Sequence, residues 1–216
     1  MKEMYFRIHK EGEVTYEVDK SKFIAFGKAV EDEKDVANYI DRVKESHPGA
    51  NHYVHAYVIG KDGYAQRSND DGEPSGTAGK PILELLKQEK VVDSVIVVAR
   101  YFGGIKLGAG GLIRAYSKSA RMLMDKSGIA TMEKFIHVKI PFEYHLWGKG
   151  ENLLHQQKGF YLMNIEYSQN ITVIGYIHPT QWESIEGNLR DLSAGKIEID
   201  RLGEKYLEIY KKKVYI

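Results

Sequence analysis

Between Val95 and Lys126 the chain reads VIVVARYFGGIKLGAGGLIRAYSKSARMLMDK, and that order leaves few folding choices. The unbroken apolar, largely β-branched run predicts a strand covered on both faces, since a half-solvated strand would alternate. Five glycines follow, at positions 103, 104, 108, 110 and 111. From Gly111 the apolar residues recur at helical spacing, so that Leu112, Ile113, Tyr116, Ala120, Leu123 and Met124 share one side. Arg114, Lys118 and Arg121 share the other, and Ser127-Gly128 is a helix stop. A strand that feeds a glycine-rich turn and then a helix start makes a place for an anion. Glycine lets the backbone approach a ligand closely, and the first helical N–H groups have no internal partner.

The charge of the segment agrees. Six cations (Arg100, Lys106, Arg114, Lys118, Arg121 and Lys126) stand against Asp125, in a chain whose net charge is +1. A phosphate-bearing partner is therefore expected at Arg100, Lys106, Gly108, Gly110, Gly111, Arg114, Lys118 and Arg121. The plainer account of such a row is the solvated face of an amphipathic helix.

A chain of 216 residues with 43% hydrophobic content can bury a core in one large or two small domains. With no cysteine, disulfides, thiolate metal sites and a cysteine nucleophile are excluded. The N-terminal stretch MKEMYFRIHKEGEV is charged and unlike a signal peptide. No apolar run approaches the roughly 20 residues of a membrane span. A cytoplasmic protein without a membrane partner is expected.

Strands are predicted at residues 15–18, 22–30, 51–59 and 95–101, and helices at 33–46, 81–88 and from 111 onward, which forms a first domain over 1–132. Over 133–216 the predicted order is strand 135–142, helix 146–157, strands 160–167 and 171–177, helix 181–192 and a last strand at 196–199 continued by 206–210. This β-α-β-β-α-β order is that of a ferredoxin-like module. The fold class is α+β.

Several chemistries are suggested and then lose support. The loop Ser68 to Pro81 offers Asp70, Asp71 and Glu73 as acids, Ser75 and Thr77 as hydroxyls, and Lys80. Arg67 sits where an EF-hand needs its first acid, and Pro81 follows Gly79-Lys80 where a phosphate loop needs Ser or Thr. The run from Gly108 to Ile113 misses the dinucleotide fingerprint, with Ile113 in place of the third glycine. His52 and His55 lie three apart on a strand and should face opposite ways, so they should not share a metal. No catalytic residue, metal or cofactor is assigned. Tyr161, Tyr167 and Tyr176 lie near C-terminal strands that could stack bases, but without the basic-aromatic signature of RNA-recognition modules. Lys211, Lys212 and Lys213 read as a short solvated tail.

Asp70-Asp71-Gly72-Glu73-Pro74, Gly76-Thr77-Ala78-Gly79 and Pro81-Ile82-Leu83, followed by Val97-Val98-Ala99-Arg100-Tyr101-Phe102-Gly103-Gly104 and Leu107-Gly108, closely resemble the signature of the YigZ/IMPACT family. The resemblance covers most of residues 20 to 126. It implies an N-terminal α/β domain like the second domain of a small-subunit ribosomal protein. It also implies a ferredoxin-like C-terminal domain similar to the C-terminal domains of elongation factor G. Eukaryotic relatives are linked to translational control and ribosome association. The leading expectation is a non-enzymatic protein that binds RNA or the ribosome through the basic helix. An enzyme or binder acting on a nucleotide or phosphorylated small molecule at the same anion site is the alternative. A third is an adaptor presenting the Asp70 to Thr77 loop to a protein partner.

Overall fold

The computed structural model describes residues 4–216; Met1, Lys2 and Glu3 of the charged N-terminal stretch lie outside the described residues. The chain divides into two compact units, with a break between Met132 and Glu133 and with Glu208–Lys213 grouping with the first.

The first unit is built on an antiparallel sheet. Its strands are β2 (Gly12–Val18), β3 (Ser21–Ala29), β4 (His52–Ile59), β5 (Ala65–Asn69) and β6 (Ser94–Tyr101), in the spatial order β2-β3-β6-β4-β5. The apolar run is the middle strand, buried on both faces from Ser94 to Arg100. Its even-numbered residues Ile96 and Val98 join Phe23, Ala25, Val54 and Ala56 beneath helices α2 (Gly79–Gln88) and α3 (Gly108–Ser127). The odd-numbered Val95, Val97 and Ala99 join Ile24, Phe26, Tyr57 and Ile59 beneath α1 (Glu33–Ser46). The sheet is thus covered by helices on both sides. The side chain of Asp32 caps α1 by accepting the Asp35 N–H at 2.8 Å. Strand β1 (Met4–Ile8) sends Ile8 into the first core, and its Ile8 N–H donates to Ser94 Oγ at 3.0 Å.

The second unit is built from most of β7 (Ile129–Phe142) and β10 (Asp200–Tyr210), whose outer ends fall in the first unit's residues, with α4 (Tyr144–Gln156), β8 (Phe160–Tyr167), β9 (Ile171–Ile177) and α5 (Trp182–Leu192), in the sheet order β10-β7-β9-β8. This is the ferredoxin-like arrangement the strand order implied. Val138, Ile140 and Phe142 of β7 and Ile171, Val173 and Ile177 of β9 form one apolar face against Leu154 of α4 and Ile185 and Leu189 of α5.

Some elements differ from the sequence expectation. Strand β5 lies between the strand expected at 51–59 and the helix expected at 81–88, where no strand was predicted. Its sequence AQRSN has no apolar alternation, because it is an edge strand that is mostly exposed. Helix α3 begins at Gly108, three residues before Gly111. Residues 196–199 are not a strand; β10 begins at Asp200. Lys211 and Lys212 are not a tail: both adopt left-handed φ, 48° and 66°, in the turn to β11 (Lys213–Tyr215).

Candidate functional site

Strand pairing brings three distant residues into one row. Phe23 on β3 and His52 on β4 are both cross-strand partners of Arg100 on β6. Their side chains lie on the face that α2 and α3 cover. There Arg100 Nη1 donates to Glu73 Oε1 at 2.5 Å, and the Tyr116 hydroxyl of α3 donates to the same oxygen at 2.7 Å. The two charged side chains are 6% and 3% exposed. Burial, and then the hydrogen bond to Glu73, push the Tyr116 phenol far above its usual range, so it remains a neutral donor. The guanidinium also lies over the rings of Phe23 and Phe102, 5.3 and 5.6 Å from their centroids. His52 Nε2 stands 4.0 Å from Glu73 Oε1.

The motif loop folds onto itself to reach this point. Asp70 accepts the backbone N–H groups of Gly76 at 2.8 Å, Ala78 at 3.1 Å and Gly79 at 2.8 Å. Asp71 Oδ2 accepts the Tyr53 N–H at 2.6 Å, and the Asp71 carbonyl accepts from His52 Nδ1 at 2.7 Å. Thr77 donates its hydroxyl to the Pro74 carbonyl at 2.6 Å. The acids are therefore spent on backbone amides and on Arg100. Arg100, expected to flank a phosphate, is turned inward, because Glu73 is its partner and water is excluded around both.

The start of α3 is finished in the opposite way. Leu107 provides no side-chain cap, and the first turn contains no acid. Gly108 has φ of 67°, which lets the chain turn into the helix there. Gly108, Ala109, Gly110 and Lys106 are exposed. The Arg114 guanidinium lies along the first turn of α3, with Nη1 3.5 Å from where a side chain on Gly110 would begin. Lys118 is exposed one turn on. Lys106, Arg114 and Lys118 enter none of the ion pairs found among the described residues. Arg121 differs. Its Nη2 donates to Glu89 Oε1 at 2.6 Å, and that pairing holds the Glu89 carboxyl below its usual range. Its charge is already answered within the protein. Ile113, placed by period among the buried residues, is 41% exposed and borders a groove between α2 and α3 with Lys80, Glu84 and Gln88.

The loop between β6 and α3 is held firmly. The Phe102 N–H donates to Asn51 Oδ1 at 2.7 Å, and the Gly103 N–H to Ser21 Oγ at 3.2 Å. A side chain on Gly103 would begin 2.0 Å from the Lys20 carbonyl carbon, so only glycine fits. Phe102, which the sequence places only in the family signature, and Ile105, to which it assigns no role, are 46% and 44% exposed. Two large apolar residues flanking Gly103-Gly104 were the available signal. Of the C-terminal aromatics, Tyr176 is buried at 1% exposure, Tyr161 packs edge-on against Phe135, and Tyr167 is open at 64%.

His52 and His55 face opposite sides of β4, as expected. His52 meets the motif loop, and burial lowers the His55 pKa on the other face.

Comparison with known proteins agrees with this architecture. Residues 19–124 match the family model described as the Impact N-terminal domain, and residues 140–196 match a domain of unknown function, DUF1949. The chain is 39% identical over 204 residues to the IMPACT family member YvyE of Bacillus subtilis, covering 94% of each chain. It is 30% identical over 188 residues to the IMPACT family member YigZ of Escherichia coli, covering 86% of this chain and 92% of that one. A crystal structure described as a hypothetical protein superposes with a TM-score of 0.60 at 27% identity, over 94% of this chain and 99% of the other. By its sequence signature, its two matched domains and these near full-length relatives, the chain belongs to the IMPACT family.

Proposed function

We propose that this protein binds RNA without catalysing a reaction, and that it acts on the ribosome or the regulation of translation through the start of α3. One observation carries the reading: the Arg114 guanidinium lies beside Gly110 in the uncapped first turn of α3, and Lys106 before it and Lys118 after it in the chain are both exposed. The N-terminal end of a helix carries a partial positive charge, so a cation placed there is unfavourable by itself. An anion that bridges the free amides and the guanidinium relieves both. Contacts of this kind recognise phosphate and not base sequence. Membership of the IMPACT family, whose eukaryotic members are linked to translational control, supports translation as the setting.

Co-sedimentation with ribosomal subunits and a mixed RNA pool over a salt series tests the proposal. Lys106→Ala/Arg114→Ala/Lys118→Ala should abolish binding at moderate salt and flatten the logarithmic salt slope by about 2, at about 0.7 per single-strand phosphate. Arg121→Ala should bind like the wild type, since Glu89 already neutralises it. No binding by the wild type at low salt, or equal binding by the triple variant, sinks the reading.

The same free amides would fit a single phosphate of a nucleotide or small metabolite, which keeps a second reading alive. Saturable stabilisation by one nucleotide in a thermal-shift screen, unaffected by excess RNA, would favour it.

A further inference from the structure

We infer that Phe102 is a stacking platform for a nucleobase, so that the RNA held at the start of α3 is single-stranded there. The inference rests on the RNA reading above and adds the form of RNA that fits.

Phe102 leaves 46% of its surface in water although its backbone is fixed. Its N–H is held by Asn51, and the next residue is wedged against Lys20 with no room for a side chain. Its ring is placed too. The Arg100 guanidinium lies over it at 5.6 Å and is itself anchored by Glu73. A rigid aromatic ring loses little entropy when a base settles on it, and every base offers a π-face.

The surroundings favour a polyanion over an apolar protein surface. Lys106 is exposed four residues further on, and Lys20 and Lys22 are exposed on the neighbouring β2–β3 turn. Lys22 is the cross-strand partner of Tyr101, beside Phe102. That turn also holds Glu17 and Asp19, so the positive balance comes from Lys106 and from Arg114 at the helix start. Phe102 and Gly108 are joined by one short loop whose fully extended reach is about 20 Å. A single oligonucleotide can therefore place a base on the ring and a phosphate on the helix start. A duplex cannot, because its bases are already paired and stacked.

Fluorescence anisotropy tests this with three labelled probes: a short RNA single strand, the same sequence as a duplex, and a single strand whose bases are replaced by abasic sites. The wild type should prefer the ordinary single strand. Phe102→Ala should weaken it about 5- to 100-fold, and Phe102→Tyr should restore it. The abasic strand should bind wild type and Phe102→Ala alike, and as weakly as Phe102→Ala binds the ordinary strand. This comparison works with unaltered protein even if Phe102→Ala folds poorly. If the wild type binds the abasic strand as tightly as the ordinary one, or Phe102→Ala loses nothing, stacking is overturned. The RNA reading then survives as long as Lys106→Ala/Arg114→Ala/Lys118→Ala still loses binding. If the wild type binds no probe, both fall.

Discussion

At Glu73 a carboxylate, a guanidinium and a phenol answer one another out of water. At Gly108 a helix begins with neither cap nor acid, and a guanidinium lies beside its first turn at Gly110. Both arrangements involve α3, and both use an arginine from the same basic segment. Arg100 is committed to the fold, and Arg114 stays exposed to solvent. The difference teaches that the polar groups of a distinctive motif can be spent on the fold itself. Asp70, Asp71 and Glu73 stand out in the sequence, yet their oxygens are taken by backbone amides and by Arg100. Within the basic segment, Lys106, Arg114 and Lys118 face solvent outside any ion pair among the described residues, and they are individually ordinary.

The largest way to break this contrast is to halve the buried pair. Glu73→Ala or Arg100→Ala alone leaves a charge in the interior without its partner, and each should cost about 3–5 kcal/mol in denaturant unfolding. Glu73→Ala/Arg100→Ala should cost clearly less than the sum of the two single changes. Additive losses would show that the two side chains are not coupled. Gly103→Ala comes next. The new methyl would run into the Lys20 backbone, and about 1–3 kcal/mol should be lost with a matching fall in melting temperature.

The change that sharpens the contrast most is Ala109→Glu, an exposed acid in the first turn of α3. It should stabilise the protein by about 0.3–1 kcal/mol and at the same time weaken RNA binding. A functional anion site predicts those opposite signs; a merely solvated helix end predicts the first alone. The smallest effect concerns His55. Burial holds its folded pKa below the unfolded value of 6.5, so the unfolded chain takes up a proton first as pH falls. Its contribution to stability is present in full above about pH 6.5 and fades as pH drops through the lowered folded pKa. His55→Gln should make melting less sensitive to pH over that window.

How far the sequence could be read follows from which forces were local. Helix α1 and strands β4 and β6 were legible because their apolar spacing answers to their own core faces. The order of the C-terminal elements was enough to imply a ferredoxin-like sheet. Strand β5 was illegible, since AQRSN is placed by its ladder with β4 and not by burial of its side chains. Ile113 was misplaced because α3 runs between a sheet below and α2 beside it, and that neighbour leaves an open groove at this position. The basic row was visible as a row. Its sorting into a buried arginine, a paired arginine and free cations needed Glu73 and Glu89, which lie 27 and 32 residues away from their partners. His52 reaches the cluster through strand register, which no local pattern encodes.

The Asp70 hub has one further consequence. A surface segment rich in Gly, Ser and Pro would ordinarily be where a protease enters and where an insertion is tolerated. Here one carboxylate gathers the amides of Gly76, Ala78 and Gly79, and Asp71 ties the same loop to β4. Nicking or lengthening this loop would release Glu73 and strand Arg100 in the interior. The most loop-like stretch of the chain should therefore resist digestion as the core does, and its capped amides should be among the slow ones in hydrogen exchange.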